Sequence, residues 1–385
     1  MNVERLFTVA KAIADDLNKT TIISILNSIK SSLTTIVSQP NNGTYLKQLS
    51  TFLSQLKIKA SESELNKFPP LWELTLKELG FYPFGDKLYE KVSLIIQENQ
   101  LTVPVAQKEI AEIVTRFSTN KQALDQMITS FTTLEIGSEE LAHGDCELGI
   151  LVPRKFVDND LIKLSEEFEN ISEIFSVFEE VVLGTRSGFK VKSISSSEFG
   201  LYIAVAAPVA LVIVQAVDKL MSAYKQYWEI KKIKADLEEK NGVPPSKLDG
   251  LTEHIANIVK ESIDSSISEI IGGATAKLDS GRKNELKTEL KLSLHKLANR
   301  LDRGFNIEVR INPPDLEALE DEEDSSLTSA AEVELFNKIK SYSENFSYIE
   351  QDQDPVIFLT EDLDELKNSD KKAQKKTTKK STKKT

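Results

Sequence analysis

Residues 199–217 read FGLYIAVAAPVALVIVQAV, nineteen residues without a charge. That length meets the criterion for a membrane-spanning helix. Pro208, however, cuts the stretch into two runs of nine. The upstream run, with Leu201 to Val205 at its centre, follows the alternating segment Phe189 to Ile194 across a Ser/Glu/Gly break, and the pair predicts a β-hairpin. The downstream run places its proline near a first helical turn, where the missing N–H is not needed. It then flows in register into charged sequence as far as about Lys240, where Asn241-Gly242 and Pro244-Pro245 end it. The stretch is therefore expected to be half buried strand and half the root of a buried helix, in preference to a bilayer segment.

Along that helix Ile213, Val217, Leu220, Tyr224 and Tyr227 step by 4, 3, 4 and 3. This is a heptad-like seam on a rod of roughly 50 Å. Two more apolar stripes follow, from Leu248 to Ile270 before Gly272-Gly273, and at Leu286, Leu290, Leu294, Leu297 and Leu301. Stripes of this length need cover, either from one another in an antiparallel bundle or from a second chain, so the five seam positions are a candidate oligomer interface.

Upstream of residue 137 the pattern is helical throughout. Val3, Leu6, Phe7, Ala10, Ile13, Ala14 and Leu17 share one face, as do Ile22, Ile25, Leu26, Ile29, Leu33 and Ile36, which predicts a helical hairpin. Further stripes follow at Leu49 to Leu56, Leu88 to Ile96, Ile110 to Phe117 and Leu124 to Leu134, with Pro69-Pro70 opening a short helix. Near residue 146 the period changes. Cys146 to Val152 (CELGILV) reads as a buried strand ending at Pro153, and Phe305 to Ile311 alternates strictly after Gly304. Between them Leu161 to Phe178 carries another helical stripe. The expected fold is predominantly α, of α+β class: an N-terminal helical bundle (1–136), then a small mixed sheet of about four strands packed with long antiparallel helices (137–312).

Charge divides the remainder. Residues 1–312 hold 37 Lys and Arg against 42 Asp and Glu, whereas residues 313–370 hold 3 against 18 and the last 15 residues hold eight Lys and no acid. The local net charges of −5, −15 and +8 account for the overall −12. The acidity thus belongs to an arm, 313–370, and not to the body, which argues against broad phosphate binding by the folded part. Asp315 to Asp324 has seven carboxylates in ten residues and reads as a solvated linker. A helix re-forms with Leu327, Ala331, Leu335, Phe336, Ile339 and Phe346, and Val356 to Leu359 is a short apolar run suited to an added strand or a docking peptide. The tail, 371–385, is low-complexity and expected to be disordered. Its Lys371, Lys372, Lys375, Lys376, Lys379, Lys380, Lys383 and Lys384 carry no interleaved aromatic residue, which leaves folding back on the acidic arm or a solubilising role, or nonspecific, salt-sensitive attraction to nucleic acid or anionic lipid.

No segment shows a compact catalytic signature. One Cys excludes an intramolecular disulfide and a Cys-rich metal site, and three His argue against an all-histidine cage. His143-Gly-Asp145-Cys146 matches no zinc spacing and reads as a polar turn before a strand. Gly184-Thr-Arg-Ser-Gly188 lacks the Gly-Lys-Ser/Thr ending of a P-loop, and Ser193 to Ser197 lacks a nucleophile elbow. Arg282, Arg300, Arg303 and Arg310 lie among Glu285, Glu289, Asp302 and Glu308, so ion pairs are the default reading. Arg300 and Arg303, three apart on one helix face, are the folded part's best candidates for holding an anion or a partner. No cofactor is expected. The function expected is a non-enzymatic scaffold or adaptor that binds a protein partner or itself. The alternatives are a membrane-inserting effector using 199–217, ranked lower, and a nucleic-acid-associated protein acting through the tail. The start, Met-Asn-Val-Glu-Arg-Leu, has no secretory n-region and h-region, which favours a cytoplasmic location.

Overall fold

The computed structural model describes residues 3–39, 43–195, 199–241, 249–273, 279–315, 326–349 and 359–367. The chain divides into two compact units, Met1–Glu140 and Leu141–Thr385.

The first unit is all helix: α1 (Val3–Thr20), α2 (Ile22–Ser38), α3 (Gly43–Ser61), α4 (Pro70–Glu78), α5 (Gly85–Glu98) and α6 (Val103–Thr133). A single residue, Thr21 in left-handed backbone (φ 54°), joins α1 to α2. The two stripes make few contacts with one another: α6 packs on both, and α3 covers α2 as extensively. The stripes at Ile110 to Phe117 and Leu124 to Leu134 belong to this one 31-residue helix. The intervening STNKQA is polar, but it holds no Gly or Pro, so nothing stops the helix there. Gly80 ends α4 at φ 78°, with its N–H on the Lys77 carbonyl and that of Phe81 on Leu76. A side chain there would meet Asn120 at 2.3 Å. Two buried polar groups tie the bundle: Arg5 pairs with Glu139 at 2.6 Å, and Asp16 accepts from Ser63 Oγ (2.8 Å) and the Glu64 N–H (2.7 Å).

The second unit is built on β1 (Cys146–Val152), β2 (Lys190–Ser195), β3 (Phe199–Val205) and β4 (Asn306–Ile311), in the order β2-β3-β1-β4. All three pairings are antiparallel, where a mixed sheet was expected. Its helices are α7 (Leu161–Leu183), α8 (Ala207–Asn241), α9 (Asp249–Gly272), α10 (Ser280–Asp302) and α11 (Ser326–Ser343).

One sheet face carries Leu148, Ile150, Leu201, Ile203, Ile307 and Val309, and these share a core with α7, α8, α9, α10 and α11. The polar face of the sheet is covered as well: Asn306, Glu308 and Glu147 are as buried as their apolar neighbours. Gly149 is required there because the Tyr202 ring and Glu308 Cγ lie where its Cβ would stand, at 2.7 and 2.8 Å.

The decisive stretch folds as expected. Residues 199–205 are β3, and α8 starts at Ala207 with Pro208 in its first turn. Ala207–Gln226 is long and apolar enough to cross a membrane by length and composition, and 56% of that window is buried within the protein. Ile213, Val217, Leu220 and Tyr224 are all buried in the second unit's own core, and Tyr227 lies further along the same helix. Those four positions are therefore not an open seam: α8 packs against α7, α9, α10 and α11 of the same chain. Lys219 of α8 meets Glu269 of α9, and Asp264 of α9 meets Lys291 of α10, so ion pairs link the three helices in series. The helix expected inside the acidic arm also packs, with Phe336, Ile339 and Phe346 in the same core.

Candidate functional site

The arginines singled out by sequence separate into three environments. Arg282, at the start of α10, grips Glu180 of α7 through Nε (2.6 Å) and Nη2 (2.7 Å) and reaches Glu285 and Glu289. Arg186 joins the same network through Glu180 (2.5 Å) and Glu289. Hydrogen bonds from Arg282 first, and from Arg186 second, hold the Glu180 carboxyl below the usual carboxylate range against its own burial. The glycine-flanked loop 184–188 does bind an anion, the carboxylate of Glu179, through the Ser187 N–H (3.1 Å) and hydroxyl. Arg310 donates to buried Glu147 at 3.2 Å. These contacts tie elements together.

Arg300 is different. It sits on the last turns of α10 with a side chain only 6% exposed, and Glu167 of α7 holds it from one side through Nε (2.5 Å) and Nη2 (2.9 Å). Burial disfavours its charge, but the hydrogen bonds with Glu167, and after them Glu361, outweigh that and raise its pKa. Its Nη1 is held on the Lys296 carbonyl (3.1 Å) and faces Glu361, at 3.2 and 3.4 Å from the two carboxylate oxygens. Arg303 lies beside it, its guanidinium 5.4 Å from the Phe156 ring centre, with that of Arg300 at 5.9 Å.

The rest of this site was not visible in the sequence reading. Asn299 Nδ2 donates to the Leu359 carbonyl (2.8 Å) while its Oδ1 accepts the Leu359 N–H (3.0 Å), so the side-chain amide pairs with a peptide unit as a neighbouring strand would. The same Nδ2 reaches Glu361 at 2.9 Å. His295, one turn earlier on the same face, contacts the Thr360 carbonyl through Nδ1 at 3.0 Å. Since a carbonyl only accepts, that nitrogen carries the proton. Together His295, Asn299 and Arg300 clamp the extended residues 359–361 by their main chain and one carboxylate. Asp362 then turns the segment by accepting the N–H groups of Asp364 and Glu365 (2.8 and 2.9 Å). Asn306 on β4 repeats the device on Ile349, accepting its N–H at 2.7 Å and donating to its carbonyl at 3.0 Å.

One signal could have found the clamp. His295 and Asn299 stand on the α10 stripe among Leu294, Leu297, Ala298 and Leu301, and a polar side chain on an apolar face must have partners.

The remaining candidates disperse. His143 Nδ1 contacts the Pro313 carbonyl (3.0 Å), Asp145 pairs with Lys192 (3.0 Å), and Cys146 is buried in β1, so the three point to different partners. Burial pushes the Cys146 thiol up to about 12, with the Asp145 charge adding to the effect. An open groove of about 520 Å³ is lined by Ala207, Pro208, Pro314, Leu335 and Phe336 together with His143. No group of three or more metal-type ligands converges among the described residues. Lys371, Lys372, Lys375, Lys376, Lys379, Lys380, Lys383 and Lys384 lie outside the described residues, as do Val356 to Phe358 of the apolar run. Compared with known proteins, the chain matches no family model, no curated protein and no solved structure.

Proposed function

We propose that this chain is a non-enzymatic helical adaptor that works through protein–protein contact at the α7–α10 face of its second unit. The observation that carries this reading is the clamp of His295, Asn299 and Arg300 on Leu359, Thr360 and Glu361. Side chains that read main-chain N–H and C=O groups are the means by which one polypeptide holds another, independent of most of its sequence. Self-association through Ile213, Val217, Leu220 and Tyr224 is a weaker version, because the core would have to open to expose them. Insertion of 199–217 into a bilayer carries the same requirement.

The test is photo-cross-linking in the native cells, with a reactive side chain placed at Glu173. That residue is 72% exposed and meets Lys296 of α10 at 3.4 Å. The adaptor reading expects a discrete protein adduct that disappears with Asn299→Ala. Adducts identical to those from an exposed position in the first unit, such as Glu112, would refute it.

A further inference from the structure

We infer that the α10 clamp is a peptide-docking surface for a partner segment of defined chemistry, extended and acidic with an apolar residue two positions before a glutamate, and that residues 359–361 occupy it in cis. The inference rests on the adaptor reading and specifies its partner.

Three features argue for it. First, the clamp contacts the segment mainly where any peptide is alike. Asn299 takes the N–H and carbonyl of Leu359, and His295 takes the next carbonyl. Second, Arg300 is held ready for one carboxylate. Glu167 binds Nε and Nη2 at 2.5 and 2.9 Å, which neutralises the buried charge and locks the guanidinium plane, leaving Nη1 turned to Glu361. Third, the clamped residues are partly open to solvent. Glu361 is 35% exposed and lies 3.2 Å from Arg300, longer than either contact with Glu167, and Leu359 is only half-buried. A tethered occupant competes at an effective concentration on the order of a millimolar, so a partner with better-buried side chains displaces it only when its own affinity is high. The cis segment thus sets a threshold for capture.

The experiment uses the full chain and a fluorescein-labelled peptide, PVIFLTEDLDELK, the sequence of residues 355–367. Leu359→Pro with Glu361→Lys weakens the cis occupant, removing the N–H that Asn299 accepts and setting a cation against Arg300. Anisotropy titration should show the peptide binding this variant about tenfold or more tightly than wild type. Adding Asn299→Ala should return it to the wild-type level, and a peptide with Gln at the position of Glu361 should bind more weakly. Equal binding by wild type and L359P/E361K, or binding indifferent to N299A, would overturn the inference. If circular dichroism shows that the double variant has not folded, E361K alone, at an exposed position, carries the same comparison. Light scattering identifies the source: a monomeric wild-type chain supports a foreign partner, whereas a dimer whose mass falls on adding peptide would overturn that in favour of exchange between two copies. Cross-linked adducts from Glu173 without peptide binding would sink this partner class and leave the adaptor standing. Absence of both would remove the adaptor reading itself.

Discussion

Replacing Arg300 by methionine isolates the energetic weight of the buried pair beneath the clamp. Glu167 and Arg300 are 4% and 6% exposed at their side chains and share two hydrogen bonds, at 2.5 and 2.9 Å. Removing the cation alone strands a carboxylate that water cannot reach, and breaking such a pair costs about 3–5 kcal/mol. Removing both charges with Glu167→Leu and Arg300→Met avoids that penalty. The double variant loses the contacts with the Lys296 carbonyl, Glu361 and the Phe156 ring, worth about 1–2 kcal/mol together. The single variant is therefore expected to be the less stable by several kcal/mol, although it carries fewer changes. Each unit holds one tryptophan, Trp72 in the first and Trp228 in the second. Urea unfolding followed by fluorescence in a Trp72→Phe background therefore reports the second unit alone. Lys163→Ala, which breaks the exposed pair with Asp158, is the control and should leave the midpoint nearly unmoved. A loss below about 1 kcal/mol in R300M, or a double variant as unstable as the single, would refute the claim that this pair is desolvated and mutually dependent.

Gly149→Ala should destabilise the second unit by about 1–3 kcal/mol, because its Cβ would press on the Tyr202 ring at 2.7 Å and Glu308 Cγ at 2.8 Å; a neutral thermal melt would contradict the packing described. Cys146, buried and with its thiol pushed up to about 12, should not react with a disulfide reagent at pH 8 in the native protein and should release one thiol per chain after unfolding. Glu180 has its pKa lowered from 4.5 in the folded chain, chiefly by Arg282, so its stabilisation is complete above that value and is lost as pH falls through the folded pKa. Glu180→Gln should accordingly flatten the acid limb of urea midpoints measured between pH 6 and 3, and an unchanged limb would assign the acid sensitivity to other groups.

Local geometry explains what could be read in advance. The 3.6 and 2 periods mark which face of each segment is apolar, and they located β1, β3 and the long α8 because Pro208 forbids one continuous element across 199–217. Arg300 was readable as a helix-face cation three residues from Arg303. Its anions were not, since Glu167 lies 133 residues away in sequence and Glu361 lies 61 residues away. The polar alternation of β4 has the same limit, because a period tells two faces apart but not whether both are covered.

By itself the amino-acid order settled the kinds of element, their breaks and the charge layout, since each follows from backbone sterics and spacing within a few residues. Tertiary structure alone decided that α8 buries Ile213 and Val217 against its own chain, that Asn299 and Asn306 bond to Leu359 and Ile349, and that Arg300 meets Glu361. Those outcomes depend on which distant surfaces complement one another in shape and hydrogen bonding, and no periodicity within a single segment carries that information.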